Sequence, residues 1–260
     1  LYQLVEPKIW DVVVFKNPIV PAQNYIKRMI GRPGETVEVI DGDVYINGKI
    51  QSRPEIVQNT MWIPIFDQDY QLPQKQTVSD RWARPWRAVN DSGVWTEDEK
   101  THRYYFKGAD QLEIMTFFQP RLNDLVSNFL PYNGWSSHNQ TAHDITSDLK
   151  ISVSCKPSDV IGELCLYISK YQRTYKMVLD FSGKCRIVDE HSNATVFEHE
   201  VKPLAIGRYS NVSFSLANHQ FEIVIGEGHT RERFTFDGAN DAGDWGYAGA
   251  GQQQVYPSLA

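Results

Sequence analysis

Apolar positions along this chain come in short runs that alternate with polar ones, and glycine, proline, asparagine and aspartate punctuate them. That pattern belongs to strands and tight turns. "DVVVF" (Asp11 to Phe15) reads as a buried strand, and the proline-bearing "KNPIVPAQ" reads as a loop. "NYIKRMI" reads as a second strand with Lys27 inside its apolar run. The turn residues Gly31 to Gly34 (GRPG) follow it, and then "TVEVI". "DGD" (Asp41 to Asp43) turns the chain into "VYI", and "NGK" (Asn47 to Lys49) turns it again, so the opening unit is expected to be a meander of short strands.

From about residue 112 the alternation resumes in "DLKISVSC", "GELCLYIS", "TYKMVLDF", "KCRIVDE", "NVSFSLANHQFEIVIG" and "RERFTFD". Regular strand spacing without an amphipathic helix predicts an antiparallel β-sandwich. "ANHQ" is the expected turn of one hairpin, with Val212, Phe214 and Leu216 on one strand facing the same way as Phe221, Ile223 and Ile225 on the other. These last strands resemble the end of a concanavalin-like jelly roll. The fold class is therefore mainly β, in three parts: 1–66, an irregular connection over 67–111, and a sandwich over 112–260. The connection is dense in tryptophan and arginine. Trp82, Trp86 and Trp95, stacked with Arg81, Arg84 and Arg87, are expected to pack it onto a sheet. The glycine-rich tail after residue 236 reads as a loop.

Composition narrows the function classes. The chain has 260 residues with 41% hydrophobic and 22% charged content, which is globular. A net charge of −6 without a basic stripe excludes nucleic acid as the expected partner. No apolar run approaches the roughly 18 residues that cross a bilayer, and no signal peptide opens the chain. It begins at Leu1 without an initiator methionine, and we expect a fragment of a longer gene product. Cys155, Cys165 and Cys185 form no CxxC pair and read as buried thiols, with one disulfide between strands as the alternative. His138 and His143 lack an HExxH pattern, so neither a metal nor any other cofactor is expected.

Lys27 carries the candidate chemistry. A lysine in a strand ordinarily points at water, whereas one held against apolar surface can lose its proton near neutral pH and act as a general base. The residues around it leave both readings open.

The order of the motifs adds to this. "WDVVVFKNP" followed by "NYIKRMIGRPGETVEVIDGDVYINGK" resembles the type I signal peptidases over about residues 7 to 50, with Trp10 where that family has glycine and Glu35 where it has aspartate. The stretch "SRPEIVQNTMWIPIFDQDY" and the sandwich resemble the enlarged signal peptidases of planctomycete-type bacteria, which carry a β insertion. The resemblance implies that Lys27 is the general base of a Ser/Lys dyad. It implies that Asn24, Tyr25 and Ile26 form the edge to which the extended signal peptide is added as a strand. Gly31, Pro33 and Gly34 then shape the turn behind the base. Arg28 is expected on the opposite face as a structural ion-pair partner.

The same resemblance implies signal peptides of exported preproteins as partners. It implies a place on the outer, periplasmic side of the bacterial cytoplasmic membrane, through an anchor these residues lack, and no cofactor. The family's Ser-Met-x-Pro nucleophile motif and its final serine motif are not found, and "FDGANDAGDW" does not have the order of the latter. Ser52, Ser136, Ser137 and Ser258 stand outside such motifs. We therefore expect the fragment to be inert, with the nucleophile elsewhere in the parent enzyme. The alternative is a non-catalytic homologue whose sandwich binds an unknown ligand, carbohydrate or envelope protein.

Overall fold

The computed structural model describes residues 6–40, 43–70, 85–90, 92–108, 111–117, 148–170, 173–226, 232–237 and 258–259, the last two stretches by backbone only. Trp82, Arg81 and Arg84, the His138/His143 loop with Ser136 and Ser137, Asp41 and the glycine-rich tail lie outside them. Ser258 falls in a stretch described by backbone. The chain divides into two compact units, Leu1–Trp62 and Ile63–Ala260.

In the first unit, β1 (Val12–Lys16) and β2 (Asn24–Arg28) form an antiparallel ribbon. A separate three-stranded meander follows: β3 (Val37–Ile40), β4 (Asp43–Ile46) and β5 (Lys49–Ile50). Its second turn is the expected Asn-Gly pair. Asn47 (φ 51) and Gly48 (φ 76) both take the left-handed conformation that matches strand twist, and Asn47 Oδ1 accepts the Thr36 N–H. The pattern of strands alone missed one element. A short helix α1 (Glu55–Met61) closes the unit, entered through Pro54 with Glu55 in its first turn. Its seven residues bury only Val57, too few to leave a readable 3.6-residue stripe. The unit's core is small: Trp10, Val44, Ile46 and Val57, with Ile9 and Ile30 packed against it.

The second unit holds the sandwich. A two-stranded ribbon is made by β7 (Trp95–Asp98) and β8 (Arg103–Phe106). The seven-stranded sheet contains β6 (Trp86–Ala88), β9 (Met115–Phe117), β11 (Glu163–Lys170), β12 (Arg173–Asp180), β13 (Lys184–Asp189), β14 (Ala194–Glu200) and β18 (Ser258–Leu259). Its order is β14-β13-β12-β11-β18-β9-β6. The four-stranded sheet is β10-β15-β16-β17, from β10 (Leu149–Cys155), β15 (Ser210–Ala217), β16 (Gln220–Ile225) and β17 (Glu232–Asp237). Every pairing within the two sheets is antiparallel.

One core joins the two sheets. Leu166, Ile168, Met177, Leu179 and Ile187 come from the larger sheet, and Phe214, Leu216, Phe221 and Ile223 from the smaller. Each such side chain contributes roughly 1.5–3 kcal/mol by leaving water. The β15–β16 hairpin has the expected register, Val212 opposite Ile225, Phe214 opposite Ile223 and Leu216 opposite Phe221. Its turn residues Asn218 and His219 both have positive φ. Within the stretch read as an irregular connection, Trp86 lies on a sheet strand. It meets Phe117 edge to face at 5.2 Å and packs on the sandwich core. Cys165 and Cys185 are buried and Cys155 half-buried, and no disulfide joins them. Among the described residues no helix is long and apolar enough to cross a membrane, and no group of side chains is arranged to hold a metal.

Candidate functional site

The β1–β2 ribbon holds every residue singled out for chemistry. Its register places Val13 opposite Lys27, Val14 opposite Ile26, Phe15 opposite Tyr25 and Lys16 opposite Asn24. Paired residues of an antiparallel ladder share a face. Lys27 therefore stands with Val13, Tyr25 and Phe15, and the last two meet edge to face at 6.1 Å. The other face carries Val12, Val14, Ile26 and Arg28.

Alternation also fixes which backbone groups are open. Met29 N–H donates to Asp11 O, and Asn17 N–H donates to Gln23 O. Between these bonded ends the bonded pairs are Lys27 with Val13 and Tyr25 with Phe15. The N–H and C=O groups of Asn24, Ile26 and Arg28 point away from β1. The sheet contains only β1 and β2, so among the described residues that edge is unpaired.

Lys27 itself is exposed, and Ile26 is 65% exposed. Both strands of this ribbon are largely exposed. Arg28 also differs from expectation. It is half-buried, and its Nη1 donates to the Trp10 carbonyl at 2.6 Å in place of the anticipated carboxylate. A backbone carbonyl lies within its reach because of how Trp10 is held.

Trp10 is the residue that sequence reasoning undervalued. Its N–H donates to Met29 O at 2.8 Å while Met29 N–H returns to Asp11 O, so Trp10 and Asp11 together oppose the single residue Met29. With φ at 76° for Trp10, this is a β-bulge whose first position is ordinarily glycine. The ring is buried in the unit's core, Nε1 donates to Ser52 O at 3.2 Å, and the Arg53 guanidinium lies 5.9 Å over it. The signal was present in the sequence, a bulky residue where the resemblance has glycine.

The turn behind Lys27 is built as its residues suggest. Gly34 has φ at 84°, and Glu35 closes the turn by accepting the Arg32 N–H at 2.7 Å. A Cβ on Gly31 would lie 2.5 Å from Val37 Cγ2, so the close approach of the chain to β3 requires glycine there. Pro33 is exposed in the turn. Ser52 is exposed, and its described contact to this ribbon is through its carbonyl.

The family profile described as "Signal peptidase, peptidase S26" matches residues 1–99. The N-terminal part of the chain is a signal-peptidase-like region. Among curated proteins, signal peptidase I of Rickettsia typhi, of Rickettsia prowazekii and of Rickettsia canadensis are each 45% identical to it over 51 residues, 20% of this chain and 19% of theirs. The chain thus spans about a fifth of the length of the curated relatives it matches. Among solved structures, the carbohydrate binding module CBM66 from Bacillus subtilis covers 58% of this chain and 85% of its own, with a TM-score of 0.34 and 11% identity. That likeness is too low to bear on either fold or ligand. The mainly β architecture rests on the sheets themselves, and the signal-peptidase-like region supplies the chemistry to be tested.

Proposed function

We propose that the signal-peptidase-like region is the base-bearing segment of a type I signal peptidase, a serine endopeptidase that removes N-terminal signal peptides from exported preproteins. The observation that carries this reading is Lys27 on a strand whose adjacent edge is unpaired. The open backbone groups of Asn24 and Ile26 can hydrogen-bond an extended peptide as an added strand, and Tyr25 and Ile26 present side chains to it. Lys27 then acts as general base. Its neutral amine takes the proton of a serine hydroxyl as the oxygen attacks the scissile carbonyl, and returns it to the leaving amine. The same amine next deprotonates the water that releases the acyl-enzyme. Within this reading the nucleophile is a serine outside these 260 residues, and the protein works at the outer face of the bacterial cytoplasmic membrane.

The test is cleavage of a preprotein whose signal ends in Ala-x-Ala by the gene product that carries this chain. Lys27→Ala and Lys27→Arg should each lower cleavage by at least about a thousandfold, since neither can accept a proton at neutral pH. Both should leave the melting temperature unchanged, because Lys27 is exposed. Cleavage at the parental rate by either variant would overturn the assignment.

A further inference from the structure

In the second unit, one end of the sandwich gathers cations, a tyrosine and projecting aliphatic side chains. Lys156 follows β10 directly and Tyr209 directly precedes β15, where Cys155 and Ser210 are the last paired residues. The Lys156 Nζ lies 5.5 Å from the centre of the Tyr209 ring, and the Arg103 guanidinium, from the start of β8, lies 5.2 Å from the same centre. Two cations from two sheets thus converge on one half-exposed ring.

Five other cations of this unit find carboxylates: Lys170 with Asp148, Arg173 with Asp189, Lys176 with Glu190, Lys184 with Glu198 and Arg186 with Glu163. Neither Lys156 nor Arg103 has a carboxylate partner among the described residues. Asp98 pairs with Arg103 in register, but its carboxylate accepts from Thr101 Oγ1 and Lys100 N in its own turn. Asp159 is similarly turned to the Ile161 N–H.

Beside these cations the chain exposes aliphatic residues that no packing explains. Ile161 is 86% exposed, Val160 52% and Ile206 49%. Their two loops are joined by Gly207 N–H to Pro157 O at 2.8 Å, and both are tied to the β12–β13 turn through Phe181. Aliphatic tips backed by cations and a tyrosine are the composition of a surface that enters a lipid interface. The aliphatic groups leave water, the amphipathic ring sits at the headgroups and the cations meet anionic lipid. A soluble polyanion would satisfy the cations but leave Ile161 in water.

We infer that this end of the sandwich, centred on Ile161, Ile206, Tyr209, Lys156 and Arg103, is a docking surface for an anionic membrane. Its residues belong to the second unit and its binding does not depend on peptide cleavage, so its test and that of the peptidase reading fail independently.

The test is partitioning of the whole chain onto vesicles of phosphatidylcholine with and without phosphatidylglycerol. Binding should require the anionic lipid and weaken with salt. Ile161→Ser with Ile206→Ser should lower it by roughly tenfold or more, and Lys156→Gln with Arg103→Gln should lower it and flatten the salt dependence. A Trp placed by Ile161→Trp should show blue-shifted emission and be quenched by brominated lipid, which reports insertion even if the loss variants proved unstable. The inference is overturned if the chain does not bind, or if both double variants bind as the parent does, which would put the contact on another surface. It is likewise overturned if the serine variants bind normally while polygalacturonate competes, which would make the cations a polyanion site.

Discussion

The carbonyl of Trp10 accepts the Arg28 guanidinium at 2.6 Å, and the Trp10 N–H reaches Met29 O at 2.8 Å, so one residue brackets the end of the strand that carries Lys27. The bulge that makes this possible puts a bulky side chain where glycine is normally needed. Its ring compensates by filling the core of the first unit.

Replacing Trp10 separates the two effects. Trp10→Ala removes the ring but keeps a side chain at φ 76°, and should cost about 3–5 kcal/mol. Trp10→Gly loses the same packing but relieves backbone strain of about 1 kcal/mol, so it should be the milder change. Denaturant titration, with amide exchange at Met29 as the local probe, measures the order. Alanine tolerated better than glycine would contradict the bulge.

Tyr175 and Phe221 lock the two sheets of the sandwich, their rings edge to face at 4.7 Å across the core. Phe221→Ala should destabilise by about 3–5 kcal/mol. A double-mutant cycle with Tyr175→Ala should return about 0.5–1.5 kcal/mol of coupling. A coupling of zero would show that the rings only fill volume.

Lys170 is fully buried, and its Nζ donates to Asp148 Oδ1 at 2.7 Å. Removing the Asp148 carboxylate takes one charge-assisted hydrogen bond from a buried ammonium, so Asp148→Ala should cost about 1.5–3 kcal/mol. Asp148→Asn, which keeps an accepting oxygen at that place, should cost less. Thermal melts of the two proteins decide the order.

Burial pushes the thiols of Cys155 and Cys165 from the ordinary 9.0 up to about 11, and the Tyr167 hydroxyl upward as well. These groups stay protonated in the folded chain while the unfolded chain ionises, so the unfolded state binds fewer protons and stability falls with rising pH. Their contribution is fully present below pH 9 and is lost as pH climbs through about 11. Urea midpoints measured from pH 8 to 11 should decline, and substituting both cysteines with alanine should shallow the slope. A slope unchanged by the substitutions would assign the decline to other groups.

The alternation of Val212, Phe214 and Leu216 with serines and asparagine fixes which side of β15 faces inward, because successive side chains of a strand point to opposite faces. The Asn-Gly turn at 47–48 and the GRPG turn are equally local, since positive φ at Asn47, Gly48 and Gly34 is a property of those residues. Hence the sheet-rich fold, the sandwich hairpins and the placing of Lys27 on a strand were legible from the chain. What lay beyond it depends on contacts distant in sequence. α1 is too short to show a period, and Trp86 joins a sheet through pairing with a strand about thirty residues away. The convergence of Lys156 and Arg103 on Tyr209 needs three segments brought together. The partner of Arg28 was decided by the bulge at Trp10, which only the ladder reveals. Sequence determined the elements and which residues they carry, because propensity and alternation act between near neighbours. Tertiary structure alone decided that Lys27 stands exposed and Trp10 buried, because burial depends on which distant strands supply a second layer.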